Sequence, residues 1–116
     1  MAEKITSATL NEFLSRKPFS IIHFDADWDG YKNAVFKKID ILQSIFNEDV
    51  SFGFVDCDKD QELAKTTQIL NVPCIAYYRG ANLVATVIGM MQDISGNIEK
   101  IKRGEIPESS NMISRK

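Results

Sequence analysis

The spacing of apolar side chains changes several times along the chain, and each change marks an element. In Ser7-Ala-Thr-Leu-Asn-Glu-Phe-Leu, the residues Leu10, Phe13 and Leu14 share one helical face, Thr6 or Ser7 can cap the free N–H groups, and Lys17-Pro18 ends the run. Phe19-Ser-Ile-Ile-His-Phe-Asp-Ala is short, β-prone and mostly apolar, which suits a central strand covered on both faces. After Asp27-Trp28-Asp29-Gly30 the period becomes helical, with Val35, Phe36, Ile39, Leu42, Ile45 and Phe46 recurring until Asn47-Glu48-Asp49 closes the helix. Val50 to Cys57 alternates Val50, Phe52 and Phe54 on one face and reads as a strand. Asp58 or Asp60 then caps a helix that carries Leu63, Ala64 and Thr67 inward and runs to about Leu70.

Asn71-Val72-Pro73 is a sharp break. Beyond it, Cys74-Ile-Ala-Tyr-Tyr and Leu83-Val-Ala-Thr-Val-Ile are strands joined by the turn Arg79-Gly-Ala-Asn, an antiparallel hairpin. A last helix from about Gln92 to Arg103 buries Ile94, Ile98 and Ile101 and stops at Gly104. Ile106 to Lys116 has Pro, Ser and charges without an apolar period, so the expected organisation is one domain over residues 1–105 and a flexible C-terminal tail over 106–116. With room for a short edge strand at Glu3 to Ile5, this order predicts an α/β layer around a mixed sheet.

Composition narrows the function classes. A chain of 116 residues, 44% hydrophobic and 26% charged, fits one domain that can bury a core. The net charge is -2 and Lys and Arg are scattered, which argues against a broad basic face for nucleic acid. No apolar run approaches the roughly 18 residues that span a bilayer. The start Met-Ala-Glu-Lys-Ile-Thr also lacks a basic region followed by an apolar one, so a cytoplasmic protein with no membrane contact is expected. Cys57 and Cys74 offer neither a disulfide framework nor a zinc-ligand pattern. His23, the single histidine, lies in an apolar strand, where a packed core residue is expected rather than a metal ligand. No metal and no cofactor are expected.

From about residue 5 to residue 104 the chain resembles thioredoxin. Ser20-Ile-Ile-His-Phe-Asp-Ala-Asp-Trp-Asp-Gly-Tyr-Lys is similar to the family's strand and active-site turn, in which Ala-x-Trp-Cys-Gly-Pro-Cys-Lys follows a hydrophobic strand. Val55-Asp-Cys-Asp resembles the end of the next strand, Val72-Pro73 falls where the family has Ile-Pro with a cis peptide bond, and Ile88-Gly89 falls where it has Val-Gly. The intervals between these landmarks fit with few or no gaps. The resemblance implies a thioredoxin fold, with a central mixed sheet of four or five strands flanked by helices on both faces.

The departures bear on activity. Asp29-Gly30-Tyr31-Lys32 stands where the family has Cys-x-x-Cys, so Asp29 and Lys32 occupy the positions of the two thiols. Disulfide exchange needs a thiolate and a resolving thiol, which a carboxylate and an ammonium cannot replace. His23 matches the family's buried acid, so acid–base support for the second thiol is expected to be missing as well. Asp29 reads first as a helix N-cap and otherwise as a catalytic acid or base, with Lys32 paired to it or in solvent. In this fold Trp28, Gly30, Tyr31, Val72, Pro73, Ile88, Gly89, Met90 and Met91 meet beside the proline loop. The resemblance implies that such a groove receives an extended segment of a partner. The bland alternative makes Trp28 a packing residue at the sheet edge and Met90 and Met91 gap fillers. Cys74 reads as a buried strand residue and otherwise as a lone reactive thiol, and Cys57 as strand-end packing.

The expected function is a protein- or peptide-binding module, redox-inactive and not an enzyme, in a scaffolding, chaperone-like or regulatory role. The alternatives are an atypical thiol oxidoreductase or redox sensor using Cys74, and a spliceosomal-type thioredoxin-like protein. The second rests on Asp27-Trp28-Asp29 and Pro73-Cys74, which resemble short motifs of that group, itself without the cysteine pair.

Overall fold

The computed structural model describes residues 2–66, 72–89 and 91–107. Its strands are β1 Glu3–Lys4, β2 Phe19–Asp25, β3 Val50–Asp56, β4 Cys74–Arg79 and β5 Asn82–Ile88, and its helices are α1 Leu10–Ser15, α2 Lys32–Phe46, α3 Gln61–Thr66 and α4 Ile94–Lys102. Residues 19–25, mostly apolar and buried on both faces, take the centre of a five-stranded mixed sheet ordered β1-β3-β2-β4-β5. β1, β3 and β2 run parallel, while β4 is antiparallel to β2 and β5 to β4. This is the architecture expected from the sequence, with the edge strand present.

Alternation along β2 feeds two cores. Ile21 packs with Val35, Ile39 and Leu42 of α2 and Ile98 of α4, whereas Ile22 and Phe24 pack with Phe13 and Leu14 of α1 and Leu63 of α3. Burying Ile94, Ile98 and Ile101 fixes α4 to the sheet, each worth about 1.5–3 kcal/mol. On the other face β3 comes close to β1 and α1 through Gly53, where a Cβ would sit 2.6 Å from Ile5 Cγ1 and 3.0 Å from Phe13 Cζ.

Several boundaries differ from the sequence reading. α1 starts only at Leu10, with Thr9 as an N-cap whose hydroxyl accepts from the Thr6 N–H rather than from a helix N–H; Ser7 instead turns to Asp60, its N–H donating to Oδ2 at 3.1 Å. Asp60, rather than Asp58, starts α3 by accepting from the Leu63 N–H at 3.1 Å, and the stretch expected as helix over 67–70 lies outside the described residues. Ile45 is 64% exposed, because the inward stripe of α2 is already filled by Val35, Ile39, Leu42 and Phe46. The hairpin is tighter than expected: Arg79 pairs with Asn82, leaving Gly80 and Ala81 as the turn.

α4 begins at Ile94, not Gln92. Asp93 is its N-cap and accepts from the Gly96 N–H at 3.0 Å. Gln92 folds back on the sheet, accepting from the Tyr77 hydroxyl at 2.6 Å and donating to the Val87 carbonyl at 2.7 Å. At the end of α4 the Arg79 guanidinium donates to the carbonyls of Ile101 within the helix and Glu105 beyond it, and Pro107 is buried. The tail from residue 108 lies outside the described residues.

Candidate functional site

Strand register brings the site together. Phe24 of β2 pairs with Cys74 of β4, which pairs with Ile88 of β5, so three strand ends lie level at one edge of the sheet. Three connections leave that edge: residues 26–31 after β2, Val72-Pro73 before β4, and the one that Gly89 opens after β5. The Val72–Pro73 peptide bond is cis. Gly89, at φ 112, takes a conformation open to glycine and donates its N–H to the Pro73 carbonyl at 2.8 Å, tying two of the connections.

Around this edge Pro73 is buried, Val72, Ile88 and Gly89 are half-buried, and Gly30 is exposed. Met90 lies outside the described residues. Trp28 corrects the packing alternative: it is 72% exposed, lifted off the strand end by a turn in which the Asp29 N–H donates to the Ala26 carbonyl at 3.1 Å. Tyr31 and Met91 are exposed too, so Met91 fills no gap in the core. A groove of about 240 Å³ opens between α2 and the start of α4, lined in part by Lys38, Ile41, Leu42 and Ile94.

The two positions matched to thiols behave differently from the sequence expectation. Asp29 is not the N-cap of α2: the helix starts at Lys32 after Tyr31, because a second turn, Lys32 N–H to Asp29 carbonyl at 3.3 Å, intervenes. The Asp29 Oδ1 accepts from the Tyr31 N–H at 3.1 Å, an Asx turn ahead of the helix. Its Oδ2 is sealed from solvent without a hydrogen-bond donor among the described residues. Burial, first of all, raises its carboxyl above the ordinary aspartate value, and the neighbouring Asp25 carboxyl adds to this. Lys32 does not pair with Asp29. Its ammonium lies 2.5 Å from Asp27 Oδ1 and above the rings of Phe36 and Phe54, and this bond raises the lysine and lowers the aspartate. With Asp27 largely exposed, such a pair adds little stability.

Beneath the loop lies a feature that the sequence reading missed. His23 and Asp25 are both fully buried, with His23 Nε2 2.8 Å from Asp25 Oδ2 and the Ala26 N–H donating to Asp25 Oδ1 at 2.8 Å. The imidazole packs edge-on against Phe36 at 5.0 Å and against Phe54 at 5.7 Å. The expectation that acid–base groups are missing here is therefore corrected: a buried acid stands beside the histidine, one alternate position further along β2. The available signal is the pair His23 and Asp25, two polar residues on the same face of a mostly apolar strand.

Both cysteines are free, and their strands flank β2. Burial pushes the Cys74 thiol up to about 12. Burial, and after it the carboxylates of Asp25 and Asp56, push Cys57 up to about 11. Neither has the lowered pKa of a reactive cysteine. Among the described residues no group of three or more His, Cys, Asp or Glu side chains could hold a metal ion, and no helix is long and apolar enough to cross a membrane.

Comparisons with known proteins point one way on fold. A family model described as Thioredoxin matches residues 1–100. A thioredoxin f2 of Chlamydomonas reinhardtii is similar at TM-score 0.75 and 22% identity, over 93% of this chain and 100% of that one. Mitochondrial thioredoxin 3 of Saccharomyces cerevisiae gives 0.75 and 20%, over 88% and 94%. A thioredoxin variant of Halobacterium salinarum gives 0.76 and 19%, over 92% of each chain. A 45-residue stretch, 39% of the chain, is 31% identical to NADPH-dependent thioredoxin reductase 3 of Arabidopsis thaliana, of whose length it spans 8%.

Proposed function

Since this chain belongs to the thioredoxin family yet carries Asp29 and Lys32 where the family resemblance places paired thiols, we propose that it is a redox-inactive, non-enzymatic binding module. It holds a protein or an extended peptide segment at the edge formed by residues 26–31, Val72-Pro73 and 89–91, in a scaffolding, chaperone-like or regulatory role. The observation that carries this reading is the exposure of Trp28, Tyr31 and Met91 on connections from different strands of that edge. Aromatic and methionine side chains supply contact area and adaptable shape without requiring one partner sequence. The same proposal includes Met90 in the groove and a cytoplasmic setting.

The thiol alternative has less support, since a one-cysteine mechanism needs an accessible thiolate and Cys74 is 1% exposed with a pKa near 12. Affinity purification from the native cell, with wild-type protein beside Trp28→Ala and Met91→Ala, tests the reading. Partners lost only with the variants support it, and identical profiles from all three proteins count against it. Efficient insulin reduction by the purified chain overturns its non-enzymatic half. Co-purified RNA-processing factors would identify the spliceosomal branch.

A further inference from the structure

We propose that the outer face of α2 is a self-pairing surface, on which a second copy of this chain lays its own α2 antiparallel, about a two-fold axis level with residue 43. On its inner face Val35, Ile39, Leu42 and Phe46 are buried, yet Ile41 and Ile45, one turn apart, are each 64% exposed. One exposed apolar side chain needs no explanation. Isoleucine, however, is β-branched and a poorer helix former than alanine, leucine or lysine. Two of them on one outward stripe therefore gain the monomer little and offer apolar area to a neighbour.

The stripe is complementary to itself. Along the helix, exposed Lys37 precedes the two isoleucines, and exposed Glu48 follows them on the same side, since Asn47 keeps helical angles past the end of α2. Neither charge enters an ion pair among the described residues. An antiparallel copy reverses the order, so Ile41 meets Ile45 of the second copy twice over, and Lys37 of each helix meets Glu48 of the other. Parallel alignment would instead set lysine on lysine and glutamate on glutamate, so the charges select the antiparallel order. The isoleucines also have somewhere to go. Ile45 lies toward α4, sharing a depression with Lys102, and the two-fold axis keeps it on that side. Ile45 of the second copy therefore arrives level with Ile41, where the groove of about 240 Å³ lined by Leu42 and Ile94 receives it.

Size sets the strength. α2 has 15 residues and is about 22 Å long, so one helix pair covers less than the ~1,000 Å² of a lasting interface. The pairing is accordingly concentration-dependent rather than obligate, and its rim charges make it weaken with added salt. Antiparallel order carries the two α2 starts, and with them residues 26–31, to opposite ends of the dimer. The surface uses none of residues 26–31, Val72 or Pro73, so it stands or falls apart from the binding proposed for that edge.

The test is sedimentation equilibrium of the full chain from about 10 μM to about 1 mM. The average mass of wild type should climb from the monomer's 13.1 kDa toward twice that value. Ile41→Glu should lower the association constant by about tenfold or more, because it puts a charge into each half of the apolar contact. Lys37→Glu and Glu48→Lys should each weaken it as well, since either one sets like charges together at both ends. The double variant that carries both should recover the wild-type constant, because the pairs are then swapped rather than broken. A mass of 13.1 kDa at every concentration overturns the proposal and leaves the stripe to some other chain. A dimer that survives Ile41→Glu overturns it too, as does a double variant no tighter than the single charge variants.

Discussion

Two helices start at the same edge of the sheet, each just after an aspartate, and the two acids are used differently. Asp93 stands in the open before α4 and accepts from the Gly96 N–H at 3.0 Å as a side-chain cap. Asp29 stands before α2, also accepts one backbone N–H, but turns its other oxygen into a sealed space beside Asp25. Sequence spacing assigns Asp29 the capping task that Asp93 performs in the structure. What lies behind each carboxyl separates them: water at the first, and a buried carboxyl joined to a histidine at the second.

The largest effect is expected where that backing is removed. Asp25→Ala takes away the acceptor of His23 Nε2 and of the Ala26 N–H, both in the fully buried cluster. Two stranded donors at ~1–3 kcal/mol each predict a loss of roughly 2–6 kcal/mol in urea unfolding. A loss below about 1 kcal/mol would mean that water reaches the cluster and that the contrast with Asp93 is one of degree.

Asp93→Ala probes the other side and should cost less, about 1 kcal/mol, the usual worth of a capping oxygen at a helix start. The cost should show as an earlier thermal midpoint with the fold retained, because Ile94, Ile98 and Ile101 still hold α4 to the sheet. If Asp93→Ala instead proves as damaging as Asp25→Ala, the open cap carries more of the fold than its geometry implies.

Legibility in the sequence follows the same division. The order of elements along the chain and the apolar helical faces are readable because periodic apolar residues encode them locally, while Trp28, Pro73 and Gly89 carry the family resemblance that implies the sheet. The start of α2 was not, since two successive turns over residues 26–32 delay it, and turn stacking has no period. Lys32 could be assigned to Asp29 or to solvent from spacing, but its choice of Asp27 depends on the two rings beneath it, one of them on β3. The His23–Asp25 pair was hidden by its own strand: an apolar segment invites each polar residue to be explained singly, and only alternation on one face joins them.

The smallest expected effect falls on Trp28→Ala. Indole rings dominate cores when buried, and the phenol of Tyr77, fully buried and bonded to Gln92 and Asn97, is the local example of an aromatic side chain held by the fold. Trp28, at 72% exposure on a turn, covers little apolar area, so its removal should change stability by no more than about 0.5 kcal/mol. Thermal unfolding should place the variant within about 4 °C of wild type. A shift several times larger would show the ring packed down on the loop in solution. Residues 26–31 would then belong, with Asp25 and Asp29, to the sealed side of the comparison.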